Sequence, residues 1–187
     1  MAKAPPPPLL TLEPLIEAVQ DGVTQTGWAL SGFQKTTSHQ FQGRWQGESS
    51  RSAYLFFHSE EEPDFVSIDV FLDETSRGLK GNIALVVEGP ALGVLPPMGE
   101  LLAQLAEVSE ECFSKDYETP FTVRFRMNSP NEDPADAESE IRLKIQIPLN
   151  VIQAGAVAVS ALASSAVAAF QRAIDHSVFV VLLDDGE

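Results

Sequence analysis

The stretch NVIQAGAVAVSALASSAVAAFQRAID, Asn150 to Asp175, carries no charge before Arg172, and its reading decides the fold. A run this apolar can span a membrane, lie buried as a core helix or mate with a copy of itself. Ile152, Ala156, Val159, Ala163, Val167, Phe170 and Ile174 follow one another at three or four residues, which stacks them along one side of a 3.6-residue helix. Gln153, Ser160, Ser164, Gln171 and Asp175 fall on a second, polar side. A spanning helix has no reason to keep such an edge, and Ala, Ser and Gln give little drive for insertion. The spacing therefore predicts a soluble amphipathic helix and no membrane span. On a third side Ala154, Ala158, Ala161, Ser165 and Ala169 are all small, so another backbone can approach, either a sheet of this chain or the same helix of a second subunit. Asn150 is the expected N-cap, and Arg172 suits the negative pole of the helix dipole.

Outward from this segment, 187 residues suffice for one domain with a full core. The hydrophobic fraction of 44% is that of a globular protein and excludes disorder as a description of the whole chain. Asp and Glu outnumber Lys and Arg by 27 to 12, and a net charge of -15 repels nucleic acid and anionic lipid. No nucleic-acid partner is expected. The lone Cys112 has no cysteine to pair with and sits among Glu107, Glu110 and Glu111, which hold a thiol protonated. MAKAPPPPLL does not read as an export signal, and with a single cysteine a reducing cytoplasm is the expected location.

Residues 1–10, with Pro5 to Pro8, read as a Pro-rich mobile tail, and residues 11–187 as a single domain. Leu12, Leu15, Ile16, Val19 and Val23 mark one side of a helix that Thr11 caps and Gly27 ends. Strand-like segments follow at Trp28–Phe33, Phe41–Trp45, Ala53–Phe57, Phe65–Leu72 and Leu79–Val87, the last two joined as a hairpin through Asp73–Gly78. The unbroken apolar run AYLFF, Ala53 to Phe57, suggests a strand covered on both faces. A second helix is expected from Met98 to Phe113. Phe121–Met127 and Ile141–Ile147 alternate most cleanly and form a hairpin across 129–140, an acidic segment expected to be flexible. Ser177–Leu183 reads as a final strand or a tail that docks on a partner. The sum is an α+β fold: an antiparallel sheet with an N-terminal helix, a middle helix and the long Ala-rich helix packed on it.

The chemistry-bearing residues form no catalytic set. His39, His58 and His176 lie far apart without ligand spacing, and the His58, Glu60, Glu61, Glu62 run reads as a solvated turn rather than a cation site. Glycine loops for phosphate and Gly-x-Ser-x-Gly elbows are missing. No catalytic residue, metal ligand or cofactor is assigned. One cluster stands out: Arg124, Arg126, Arg142 and Lys144 alternate onto the same outward face of one hairpin, a third of the basic side chains in an acidic protein. They can pair with the neighbouring acidic segment or contact an anionic group on a partner.

The order helix, antiparallel strands, helix, two strands, long helix over about residues 11–174 resembles the type III secretion chaperone-like fold and its YbjN-type relatives. The strand-like segments before Ala53 and the run after Ser177 are additions to that order. The resemblance implies a homodimer that binds an extended or helical piece of a partner protein without turnover. The expected function is thus a non-catalytic protein-binding module, an assembly or folding chaperone or an adaptor. It would use the apolar helix face of Ile152, Val159 and Phe170 and the basic hairpin face. The alternative is a small-molecule protein or enzyme that encloses a lipid or pigment between the sheet and the long helix.

Overall fold

The computed structural model describes residues 8–38, 50–115 and 119–184. Most of the Pro-rich tail, His39, the Phe41–Trp45 segment and Asp116 lie outside them. The fold is α+β, as the order of elements predicts. Six antiparallel strands, β1 (Ala29–Ser38), β2 (Ser50–His58), β3 (Val66–Thr75), β4 (Gly78–Ala91), β5 (Phe121–Arg126) and β6 (Glu138–Gln146), form one sheet in the order β1-β2-β3-β4-β6-β5. Gly78, at a φ of 115°, closes the β3–β4 turn in a conformation that disfavours any side chain.

Alternation along the strands decides the layers. Leu55 and Phe57, Ile68 and Leu72, Ile83 and Leu85, with Leu143, point to one face and are fully buried. On that face lie α1 (Leu12–Thr24), α2 (Met98–Cys112) and α4 (Ala156–Ile174), preceded by the short α3 (Leu149–Gln153) and followed by α5 (Ser177–Asp184). Helix α1 is held against the sheet by an ion-pair cluster. Glu13 accepts from Lys35 at 2.6 Å and Arg51 at 2.7 Å, and Arg51 reaches Glu74 at 2.7 Å. Glu74 also accepts the first helical N–H, that of Leu12, at 2.6 Å. The cap therefore comes from β3, since the Thr11 side chain makes no capping bond.

The Ala-rich stretch departs from its reading in three ways. It is two helices, because Gly155, at φ 96°, breaks the path between α3 and α4 in a backbone region open to glycine. Pro148, not Asn150, stands at the N-terminal boundary, and Asn150 lies inside α3. A close backbone approach is made to α1, through Ser160 and Ala163 rather than through the small-residue side. A Cβ on Gly22 would sit 2.3 Å from the Ser160 carbonyl oxygen and 2.7 Å from the Ala163 Cβ. Ser164 donates to the Gly22 carbonyl at 2.7 Å, so part of the polar edge is an interhelical contact. Ala154, Ala161 and Ser165 of the small-residue side face solvent.

Ser177–Leu183 belongs to helix α5, not to a strand. The N–H groups of Phe179 and Val180 both donate to the His176 carbonyl directly after α4, and Phe179 is fully buried. A short apolar run carries no period of its own, so the preceding turn decided its conformation. At the other end of α4, Arg172 donates to the Cys112 carbonyl at 2.9 Å and so ties the C-termini of α2 and α4 together. The acidic segment is shorter than its reading, because Glu138 to Glu140 lie in β6. Its remainder holds a 3-10 turn, Pro134–Asp136, capped by Asp133, and is tied to the end of β4 by Leu92 N–H to Ala137 O and Gly93 N–H to Ala135 O, both 2.8 Å.

Candidate functional site

Among the described residues no helix lies on the second face of the sheet. The strand read as covered on both sides is covered on one: Ala53, Leu55 and Phe57 are fully buried, while Tyr54 and Phe56 between them are each 37% exposed. AYLFF lacks polar alternation because its outward positions are aromatic, not because a second layer covers them.

Pairing register assembles the exposed face row by row. Tyr54 stands beside Phe71, which stands beside Asn82, and Asn82 beside Gln146. The next row runs Phe56, Asp69, Ala84, Lys144, and the one after it Ser67, Val86, Arg142, Thr122. The Tyr54 and Phe71 rings meet at 4.9 Å, tilted by 44°, a favourable aromatic arrangement. Ala84 and Val86, in the middle of the sheet, are covered by their neighbours to 2% and 4% exposure. Tyr54, Phe56 and Phe71 thus form an aromatic cluster on β2 and β3, beside Ala84 and Val86 of β4, with Asp69 among them and the charges of β6 and β5 at its border.

That border contains the four basic residues singled out above, and the register brings them together as expected. Arg124 lies opposite Glu140, Arg126 opposite Glu138, Arg142 opposite Thr122, and Lys144 opposite Ala84. Three of them are engaged within the sheet. Arg142 binds Glu140 at 2.7 Å and Asp69 at 3.2 Å, Arg124 approaches Glu140 at 3.7 Å, and Arg126 binds Glu138. Lys144 makes no ion pair among the described residues. The hydrogen bond from Arg142 holds the Glu140 carboxyl below its ordinary range, and that from Arg126 does the same for Glu138. Asp69 goes the other way: burial raises it, against the opposing charge of Arg142.

Near the β4–β6–β5 end of this face a groove of about 520 Å³ is lined by Phe65, Glu88, Arg124, Phe125, Arg126, Glu138, Ser139 and Glu140. It forms where the β4–β6 register shifts between Gly89 and Ala91, and the Ser139 hydroxyl bonds the Pro90 carbonyl at 2.9 Å.

The apolar helix residues stand elsewhere. Ile152, Val159 and Phe170 are 2%, 0% and 0% exposed, packed in the core between helices and sheet, so they offer no groove to a partner. Their period reported burial, which core and groove share. Sequence reasoning missed Tyr54, Phe56 and Phe71. The signal was available, because β2 and β3 carry bulky apolar side chains at both parities and a two-layer domain covers only one of them.

Cys112 is buried, and desolvation raises its thiol more than the adjacent Glu111 does. His176 approaches Glu111 at 3.3 Å, and Glu62 accepts from Gln171 at 2.7 Å. Among the described residues no three His, Cys, Asp or Glu side chains gather where a metal ion could bind. No known protein family, curated protein or solved structure matches this chain.

Proposed function

We propose that the protein is a non-catalytic binding module that receives a partner protein on the open face of its sheet, as an assembly or folding chaperone or an adaptor of the cytoplasm. One observation carries the reading: Tyr54 and Phe56, on an interior strand, are each 37% exposed. Aromatic side chains spread on a rigid sheet are low-entropy anchors for a protein partner. Covering the 37% of each ring that is exposed contributes roughly 0.5–1 kcal/mol, about as much as an exposed ion pair at its upper limit of about 1 kcal/mol, and the adjacent rings add together.

The basic cluster is not alone on its surface. Among the described residues the strands place five cations on this face, Lys80, Arg124, Arg126, Arg142 and Lys144, with five carboxylates, Asp69, Asp73, Glu88, Glu138 and Glu140. Such a face is charge-balanced and orients a partner rather than trapping an anion. The aromatic cluster supplies the affinity, and Lys144, which makes no ion pair among the described residues, can meet a partner's carboxylate.

An enclosed lipid or pigment has less support. Between α4, β6 and the segment after α2, Phe113, Ile145, Leu162 and Arg172 line a cavity of about 120 Å³, below the roughly 300–1,000 Å³ of ordinary ligand pockets.

The test is affinity capture from the native host with the full chain, its Phe56→Glu and Tyr54→Ala variants, and Val157→Glu on the exposed side of α4 as control. The partner captured by wild type should bind the two open-face variants at least about tenfold more weakly, a loss of roughly 1.4 kcal/mol, and Val157→Glu equally well. Equal binding by all four chains rules the open face out.

A further inference from the structure

Helix α2 leaves one shoulder without cover. Its buried side is Leu101, Leu105, Val108 and Cys112. In the layer of helices α1 lies over β1 to β3, α4 beside it over β4, and α2 beyond α4. Glu111 reaches His176, directly after α4, at 3.3 Å, so that flank of α2 is turned toward α4. Met98, Leu102 and Ala106 run down the opposite flank at steps of one helical turn, toward β5. All three are exposed, Leu102 by 39%. The sheet beyond that flank is no better covered. Ile141, Leu143 and Ile145 of β6 are buried, whereas on the same side of β5 Val123 is half-buried and Phe125 is 40% exposed. Helix shoulder and last strand together make an apolar gutter along one margin of the helix layer.

We infer that this gutter seats an amphipathic helix of a partner protein, apolar on the side it lays down and rich in Lys and Arg along its margins. Charge selects such a partner. Every charged residue of α2 is a glutamate, Glu100, Glu107, Glu110 and Glu111, and among the described residues no cation pairs with the first three. The whole chain carries -15, so its field draws in a basic segment. A second copy would instead set glutamates against glutamates.

Geometry selects a helix over an added strand. The β5 edge is blunted against pairing, being six residues long, preceded by Pro120 and charged at Arg124 and Arg126. Apolar side chains one turn apart on α2 form a ridge that fits the groove of another helix. The gutter lies on the helix side of the sheet, away from Tyr54 and Phe56, so it stands independently of the open-face reading.

The probe is a labelled amphipathic peptide of Leu and Lys, about 18 residues long, titrated with the full chain and followed by fluorescence anisotropy. Binding is expected at about 10 μM or tighter, weakening as salt rises. Leu102→Gln, which keeps helix propensity and should leave the circular dichroism unchanged, should weaken it at least about fivefold. Glu100→Gln combined with Glu107→Gln should weaken it and flatten its salt dependence. Phe56→Glu and Val157→Glu should leave it unchanged. Two further peptides, one with Leu and Lys reordered to alternate as in a strand and one with Glu in place of Lys, should bind at least about tenfold more weakly. No binding at about 100 μM, equal binding of either control peptide, or an affinity that Leu102→Gln leaves unchanged overturns the proposal. Loss of binding with Phe56→Glu places the peptide on the open face and overturns it as well. So does sedimentation that shows a wild-type dimer which Leu102→Gln dissolves, because a second copy then fills the gutter.

Discussion

Gly22 is the position where one added methyl group costs the most for its size. On an exposed helix surface, Gly→Ala stabilises by up to about 1 kcal/mol. Here the new Cβ would meet a carbonyl oxygen at 2.3 Å and another Cβ at 2.7 Å, so α1 and α4 must part. Overpacking of this kind costs about 1–3 kcal/mol and outweighs the gain in propensity. Gly22→Ala should lower the urea midpoint with little change in slope, and an unchanged or raised midpoint would show that the helices do not touch there. Neither chain segment announces this contact by itself. Gly22 reads as an ordinary helix glycine, and the small residues of α4 fit a sheet, a helix or another subunit equally well.

Within α4, burial sets the ranking of its apolar residues more than hydrophobicity does. Phe170 is fully buried and meets Phe113 edge-on at 5.7 Å, whereas Val157 is 76% exposed. Phe170→Ala should cost about 3–5 kcal/mol by transfer and cavity formation. Val157→Ala should stay within about 0.5 kcal/mol, since it loses no packing and gains helix propensity. Denaturant titration of both variants separates a helix lying on the sheet from one with its sides reversed.

The side of α4 that includes Phe170 was legible from its period, and so were the alternating strands β5 and β6, because a half-buried element writes its burial into its spacing. The helix break was hidden behind unbroken apolar spacing, since Gly155 looks like any small residue until its backbone angle is known. Helix α5 was hidden for the opposite reason: SVFVVLL is apolar on every side and favours no period. The basic cluster could be placed from sequence because β5 and β6 alternate. Its ion pairing with Asp69 could not, because Asp69 lies on β3, two strands away from β6 in the sheet order.

At the scale of the whole molecule, ion pairs set the acid limit of the fold. Glu13 is lowered from an ordinary value of 4.5 to about 2, chiefly by its bond to Lys35 and then by its backbone bond and Arg51. Glu138 and Glu140 are lowered as well. A carboxylate lowered on folding contributes stability that is complete above its unfolded value and lost as pH falls toward its folded one. Glu13 therefore withdraws support as pH drops from 4.5 toward about 2, and Glu138 and Glu140 withdraw theirs as pH falls below 4.5. Asp69, raised by burial, acts oppositely: its contribution is complete below 3.8 and lost as pH rises through its folded value. Three against one, stability should fall on acidification. The Glu13 carboxyl should titrate by NMR near pH 2, and Lys35→Met should move it upward. A Glu13 titration at the ordinary carboxylate position would mean that α1 is not clamped to β1 and β2.

The central claim is that, among the described residues, no second layer lies over this face of the sheet and the Tyr54 and Phe56 rings stay partly in solvent. Hydroxyl-radical footprinting of the folded chain, read residue by residue along β2, tests it most directly. The account predicts a period of two, with Tyr54 and Phe56 oxidised and Leu55 and Phe57 protected. Uniform protection from position 53 to 57 would contradict it and place a second layer over the sheet.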